Sequence, residues 1–155
     1  MAWTFEMWIE NEDRIKTDRV REYFNSFQYL DEKNKYKILA FKNGTVTVSN
    51  ISQSGILSQD DADEMTWVGN KFYDLLKDAP DFRFALTGVE VGGWIEMNEI
   101  LKNPIEIIPI KGFVISNDIY ESIGKPGSLL PFKANYVWNP YEGEVYEKPY
   151  PPFYL

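Results

Sequence analysis

The pair Asn43-Gly44 is the feature that most restricts the fold of this chain. A type I′ turn joins two antiparallel strands and needs a positive φ at both central positions, which Asn and Gly tolerate best. Residues 36–42 before the pair are strand-forming, and residues 45–48 after it alternate in the pattern of a half-buried strand. The sequence therefore predicts a β-hairpin over about residues 35–50.

The N-terminal segment predicts a strand followed by a helix. Residues 3–9 are rich in aromatic and β-forming side chains, and Trp8 falls on the face opposite to its apolar neighbours. A strand with both faces apolar is typical of the centre of a sheet. Apolar residues then recur at helical spacing over residues 15–27, and Asn11 or Asp13 is placed to cap that helix.

A second and longer helix is predicted after the hairpin. Ser58 and Asp61 have the spacing of a capping box, with Asp in place of the usual Glu. Residues 62–76 carry one apolar stripe, and Pro80 ends the pattern. Residues 82–91 then alternate as a strand, with a bend or bulge expected at Gly88.

The order of these elements is strand, helix, strand, strand, helix, strand. That order is the ferredoxin-like split βαβ arrangement, in which two helices cover one face of an antiparallel sheet. The predicted fold class is therefore α+β, with an antiparallel-rich sheet, two main helices and a C-terminal extension rich in proline and aromatic residues. Length favours one domain over residues 1–155, divided into a βαββαβ unit at 1–95 and an added region at 96–155.

The added region gives weaker local signals. Residues 98–103 predict a short helical turn, residues 105–110 predict a strand, and Ser116 is placed to cap a short helix. Residues 116–155 hold six of the nine prolines and nine of the 25 aromatic residues. Proline at this density prevents long regular elements, so we expect an extended tail that packs on its own domain or on another chain.

Composition excludes several classes of function. The chain has no His and no Cys, so a Ser-His-Asp triad, a thiol nucleophile and a disulfide framework are all ruled out. The formal net charge of −8 argues against nucleic acid and against anionic membranes as partners. No signal peptide or membrane-spanning run is visible, and the expected location is the cytoplasm.

The motifs that could carry chemistry each have a simpler structural explanation. The acidic run at residues 60–64 suits a helix N-terminus, where carboxylates oppose the helix dipole, better than it suits a metal site. The glycine-rich stretches at 88–93 and 124–128 lack the spacing of phosphate-binding loops. Glu90, Glu96 and Glu99 near a tryptophan could act as paired carboxylates in glycoside hydrolysis. We expect neither a metal nor a cofactor.

The surplus of aromatic residues is the strongest remaining signal, because Tyr and Trp dominate protein-binding surfaces. The sequence favours a non-enzymatic protein-binding module, in concrete form an acidic immunity or antitoxin-type inhibitor of a basic partner protein. A small-ligand-binding or carboxylate-based enzyme domain and a homo-oligomeric structural subunit stay open as alternatives. The candidate binding residues are Trp94, Glu96, Tyr136, Trp138, Tyr141, Tyr146 and Tyr150.

Overall fold

The computed structural model describes residues 4–30, 36–48 and 58–143, and seven strands and five helices lie within them. The strands are β1 (Phe5–Glu10), β2 (Ile38–Ala40), β3 (Thr45–Val48), β4 (Phe84–Val89), β5 (Val114–Ser116), β6 (Leu130–Lys133) and β7 (Tyr136–Trp138). The helices are α1 (Arg14–Asn25), α2 (Gln59–Leu76), α3 (Met97–Lys102), α4 (Pro104–Ile107) and α5 (Asn117–Ser122). All seven strands join one antiparallel sheet in the order β2-β3-β1-β4-β5-β7-β6. The predicted α+β class is confirmed.

Strand β1 lies inside the sheet, as its aromatic sequence predicted. It pairs with β3 on one side and with β4 on the other, so that Glu6 stands opposite Thr47 and Gly88. Phe5 and Met7 are buried on one face of the sheet, and Trp8 is nearly buried on the other. Both faces of the strand are therefore covered, which is the condition that an apolar strand requires.

The two long helices pack on the first face, the one that carries Phe5. Helix α1 buries Val20 and Phe24 there, and α2 contributes its whole apolar stripe. The Phe5 and Phe72 rings stack with their centroids 6.3 Å apart. Burial of these large rings contributes strongly to the hydrophobic stabilisation of this layer, since each one removes about 150–250 Å² from water.

The three short helices pack on the second face, over the half of the sheet that contains β4 and β5. Ile100 of α3, Ile107 of α4 and Tyr120 of α5 belong to this second core. The ring of Trp8 meets that of Phe84 edge to face, with centroids 5.4 Å apart. The sheet is thus a layer between two sets of helices, and β1 contributes to both cores.

The helix caps follow the local sequence closely. Asp13 caps α1 by accepting a hydrogen bond of 2.8 Å from the backbone N–H of Lys16. Ser58 and Asp61 form the predicted capping box of α2, and Ser116 caps α5 through the backbone N–H of Ile119. The predicted caps are confirmed. They could be predicted because a cap depends only on residues within one turn of the helix end.

The prediction of a strand over residues 105–110 is wrong. Pro104 begins α4, which runs to Ile107, and a turn follows before β5. Proline suits the first position of a helix because its fixed φ is already helical and its missing N–H has no partner there in any case. The run of isoleucines that suggested a strand instead buries Ile107 and Ile108 in the second core.

The hairpin between β2 and β3 exists, but its turn is not of type I′. Gly44 has φ +93°, whereas Asn43 lies outside the left-handed region. The Asn43 side chain accepts hydrogen bonds from the backbone N–H and the hydroxyl of Thr45, at 3.1 and 2.7 Å. A Cβ at Gly44 would approach the backbone oxygen of Ile9 to 2.5 Å. Glycine is required here by close packing against β1 as well as by its backbone angle.

The region after residue 116 is more regular than its proline content predicted. Strands β6 and β7 form a hairpin whose turn places Asn135 at φ +71°, and Pro131 lies on the outermost strand. Proline is tolerated at a sheet edge because its missing N–H interrupts no ladder. Residues 144–155, where the extended tail was predicted to continue, lie outside the described residues.

Tyr73 links α2 to the sheet, and its removal should be measurable. The buried Tyr73 hydroxyl donates to the backbone oxygen of Gly112 at 2.6 Å and accepts from the N–H of Thr87 at 3.1 Å. Tyr73→Phe leaves both backbone groups unpaired, so we expect a loss of about 1–3 kcal/mol in the free energy of unfolding. Urea denaturation of the wild type and of Tyr73→Phe measures this difference in the free energy of unfolding. Tyr29→Phe, at an exposed tyrosine, is the control and should change stability little; equal effects of the two substitutions would contradict this role of Tyr73.

Candidate functional site

A concave surface lined by charged and apolar side chains lies at one end of the sheet. Because neighbouring strands are antiparallel, the end of β1, the start of β4 and the end of β5 meet at this edge. A groove of about 430 Å³ opens there between the start of α1 and helices α3 and α5. We call it the sheet-end groove. Its lining residues are Glu12, Lys16, Asp81, Phe82, Arg83, Met97, Leu101, Ser116, Asp118, Ile119 and Ser122.

An ion pair joins Arg83, which lines this groove, to Glu10 at the end of β1. The guanidinium donates two hydrogen bonds, from Nε to Oε1 at 2.7 Å and from Nη2 to Oε2 at 2.8 Å. The Glu10 side chain is only 11% exposed and that of Arg83 is 33% exposed. Burial raises the pKa of Glu10 above its ordinary value, although the hydrogen bonds and the charge of Arg83 act in the opposite direction. Glu10 is thus largely removed from water, Arg83 is partly so, and the carboxylate depends on the guanidinium for its hydrogen bonds.

The remaining charges of the sheet-end groove are mostly carboxylates. Lys16 pairs with Glu12, so this cation is already engaged. Asp118 lines the groove and has no ion pair with any residue in the described ranges. Asp81 also lines it and lies near Lys16 and Lys133. The groove therefore presents a negative rim to its surroundings.

The wall formed by α3 is apolar. Met97 is half-buried, and Leu101 is 50% exposed although it belongs to a helix that buries Ile100 completely. Ile119 of α5 faces the same space. An exposed leucine alone is ordinary, but beside a second apolar side chain in a concave surface it offers contact area to a ligand.

A second hollow of about 480 Å³ continues the groove along α3 and shares Arg83, Met97 and Leu101 with it. Asn11 lines this hollow, and its Nδ2 is buried without a hydrogen-bond partner among the described residues. An unpaired buried amide N–H costs free energy.

Two of the predicted binding residues lie at this end of the sheet. Glu96 lines the second hollow and is exposed. Tyr136 borders a neighbouring depression beside Asp81, but its ring is buried. The Tyr136 hydroxyl accepts from the N–H of Phe82 at 3.1 Å and donates to the oxygen of Phe82 at 2.9 Å. Tyr136 therefore supports the start of β4, which carries Arg83.

The other predicted residues are not brought to the groove. Trp94 is half-buried against the second core, and Trp138 and Tyr141 pack on the first face beside Tyr73, with ring centroids 5.1 and 5.6 Å from it. Trp94, Trp138 and Tyr141 thus pack on their own chain. Tyr146 and Tyr150 lie outside the described residues.

A separate pair of carboxylates lies on the second face of the sheet, near β3. Glu6 is almost fully buried, and its Oε2 accepts a hydrogen bond of 2.8 Å from the backbone N–H of Gly92. Burial raises the pKa of Glu6 to about 7, the bond from Gly92 opposes the rise, and the negative charge of Glu90 adds to it. Glu6 therefore exchanges a proton near neutral pH.

Sequence reasoning missed Glu6, Glu10 and Arg83. Glu10 and Arg83 are 73 positions apart, so no local pattern links them. A usable signal was present in β1, where Glu6 and Glu10 alternate with apolar residues on a strand that was already predicted to be central. A carboxylate on such a buried strand is stable only if a hydrogen-bond donor pairs with it or if it is protonated.

Among the residues that the structure describes, no group of three or more carboxylates is arranged to hold a metal ion. Within the acidic run at the start of α2, Asp61 takes part in the helix cap and accepts from the backbone N–H of Ser58. In the same described ranges, none of the helices combines the length and the apolar character needed to cross a bilayer.

Comparison of the chain with protein-family models, with curated proteins and with solved structures gave no significant match.

The Glu10–Arg83 pair gives a prediction for stability and its pH dependence. Arg83→Met leaves the buried Glu10 carboxylate without its donor, and we expect a loss of about 2 kcal/mol in the free energy of unfolding at pH 8. The pKa of Glu10 in the folded state is already raised and should rise further in the variant. A carboxyl whose pKa is raised in the folded state destabilises that state as pH increases and the group ionises. The drop in the free energy of unfolding caused by Arg83→Met should therefore become smaller towards pH 4, where Glu10 is protonated.

Urea denaturation at the two pH values measures this effect. The control is Glu10→Gln introduced together with Arg83→Met, which removes the uncompensated charge and should recover most of the stability at pH 8. A loss of stability in Arg83→Met that is the same at both pH values would contradict the assignment.

Proposed function

We propose that this chain is a non-enzymatic protein-binding module that receives a basic segment of a partner protein in the sheet-end groove. The observation that supports the proposal most is the combination of the Asp118 carboxylate, which has no ion pair within the described residues, with the exposed Leu101 in one concave surface. Neither feature alone would single out this surface.

The charges of the groove favour a cationic ligand. Its two lining cations are each paired, Arg83 with Glu10 and Lys16 with Glu12. The aliphatic stem of an incoming Lys or Arg would cover Met97 and Leu101, while its charged end would reach Asp118 or Asp81. The net charge of −8 would also attract a basic partner over longer distances and speed association.

The concrete form of the proposal is an acidic immunity or antitoxin-type inhibitor. Such a protein must cover a basic surface, and this needs carboxylates around an apolar centre rather than catalytic groups. The small size of the chain, its acidity and its lack of His and Cys agree with that role.

One observation favours a second candidate, a small-ligand-binding or carboxylate-based enzyme domain. Glu6 has a pKa of about 7, which suits a general acid or base at neutral pH, and Glu90 lies near it. Substrate turnover that is lost in Glu6→Gln and kept in Arg83→Met would favour this candidate over protein binding.

We further propose that residues 5–89 form a ferredoxin-like unit to which β5, β7 and β6 are added along one edge. The neighbour order β2-β3-β1-β4 and the packing of α1 and α2 on the same face support this interpretation. In this arrangement the added β5, α3 and α5 supply about half of the lining of the groove, including Leu101 and Asp118.

Site-specific photocrosslinking tests the proposed binding surface. A photoreactive benzoylphenylalanine replaces Leu101 in the groove or, as the control, Leu130 at the opposite end of the sheet, and the two positions are 50% and 53% exposed. In lysate of the native host, we expect a basic protein to crosslink at position 101 and not at position 130. Crosslinking of the same proteins at both positions would contradict the proposal.

A charge-neutral variant then tests the role of the carboxylates with the captured protein in purified form. Asp118→Asn combined with Asp81→Asn should weaken binding by roughly tenfold, since exposed ion pairs contribute about 0.2–1 kcal/mol each. Asp74→Asn with Asp60→Asn on α2 is the matched control and should leave the dissociation constant almost unchanged. Equal binding by the groove variant and the wild type would rule out the electrostatic part of the proposal.

A further inference from the structure

The turn of the β2–β3 hairpin is an exposed surface that combines an aromatic ring with a positive charge. We call residues 41–43 the hairpin tip. The Phe41 side chain is 49% exposed, and Lys42 beside it is also exposed. Among the described residues, Lys42 forms no ion pair. Residues 36–48 hold two lysines and no carboxylate, so the hairpin is locally basic in a chain of net charge −8.

The hairpin tip is held in one conformation by hydrogen bonds to β1 and within the turn. The backbone N–H of Ile9 donates to the oxygen of Gly44 at 2.9 Å, and the indole N–H of Trp8 donates to the oxygen of Asn43 at 3.2 Å. The N–H of Gly44 donates to the oxygen of Phe41 at 3.1 Å. A surface fixed in this way loses little conformational entropy when it docks.

The outer edge of β2 is closed by the chain itself. The N–H of Ala40 donates to Oδ1 of Asn25 at 3.2 Å, and the N–H of Ile38 donates to the backbone oxygen of Gln28 at 3.3 Å. These outward N–H groups are the ones that an incoming strand would use. The hairpin therefore offers its tip, and not its edge, to a second molecule.

The sheet-end groove has the complementary composition. The carboxylates of Asp81 and Asp118 line it and are exposed, and the half-exposed Leu101 lies in its apolar wall. An aromatic ring placed on Leu101 would bring a neighbouring lysine within reach of these carboxylates. Apolar contact at the centre with opposite charges around it is the usual composition of a specific interface.

The hairpin tip and the sheet-end groove lie at the same end of the sheet. Because the strands are antiparallel, β2 ends and β3 begins where β1 ends and β4 begins. The hairpin is centred three strand spacings from the β4–β5 boundary in the sheet order, which is about 14 Å. A half-turn about the sheet normal brings two such ends together and places each tip over the groove of the other copy. Such a contact closes as a two-fold dimer.

We propose that this chain forms a two-fold dimer in which the hairpin tip of each copy occupies the sheet-end groove of the other. Phe41 covers Leu101 of the second copy, and Lys42 pairs with its Asp118. Repulsion between the two net charges is screened beyond about 8 Å at physiological salt, whereas the paired groups are in contact. The inference rests on the proposed function, because it uses the same groove, and a basic partner would have to displace the hairpin tip.

Sedimentation equilibrium of the purified chain measures the dimer without any other protein. We expect a reversible monomer–dimer equilibrium, and Lys42→Glu should raise its dissociation constant by about tenfold or more, since each dimer contains the reversed contact twice. Lys111→Glu is the matched control, at an exposed lysine in the turn that precedes β5 at the opposite end of the sheet, and should leave the constant unchanged. A wild-type chain that sediments as a monomer at millimolar concentration would overturn the dimer.

Reversal of both charges tests whether Lys42 and Asp118 meet. Asp118→Lys alone should weaken the dimer as Lys42→Glu does, and the two substitutions together should restore it to near the wild-type dissociation constant. Both side chains are exposed, so the variants should keep the far-UV circular dichroism of the wild type. A double variant that associates no better than either single variant would overturn this pairing.

Crosslinking separates the dimer from the proposed function. Benzoylphenylalanine at position 101 of the purified chain should crosslink to residues 38–48 of a second copy, and at position 130 it should not. If the purified chain crosslinks to itself and lysate yields no basic protein, the dimer stands and the proposed function fails. If lysate yields a basic protein and the purified chain stays monomeric, the proposed function stands and the dimer fails.

Discussion

A strand inside a sheet needs hydrogen-bond partners for its backbone at both edges and packing partners for its side chains on both faces. Strand β1 meets this requirement with two neighbouring strands and two layers of helices. Its neighbours β3 and β4 complete its hydrogen bonds, and aromatic and aliphatic residues from both helical layers cover it. Phe5 and Trp8 anchor the two cores from the same strand. The register of β1 therefore fixes the positions of β3 and β4, on which the strands at the two sides of the sheet are added.

The same constraint creates the polar features of the second face. Glu6 and Glu10 share the face of Trp8, and each is removed from water by its place on the strand. Glu10 meets Arg83 at the start of β4, whereas Glu6 meets the N–H of Gly92 after the end of β4. One strand thus supplies the partner of Arg83, which lines the groove, and a second buried carboxyl that contacts Gly92 in the segment before α3.

The features that depend only on residues close together in the chain were predicted correctly. The caps by Asp13, Ser58 and Ser116 and the central place of β1 are read from residues within one element. The prediction failed where two local patterns compete, as at Pro104, whose preference for a helix start prevails over the strand-like isoleucines after it. The Glu10–Arg83 pair could not be predicted from the sequence, because only the pairing of β1 with β4 brings these distant residues together.

The central claim is that β1 holds two carboxyl groups in poorly solvated positions, and a carboxyl titration tests it most directly. Selective ¹³C labelling of glutamate, with the two signals assigned through Glu6→Gln and Glu10→Gln, gives both pKa values in the folded protein. The account predicts a pKa of about 7 for Glu6 and a pKa above the ordinary 4.5 for Glu10. Ordinary values near 4.5 for both groups would contradict it.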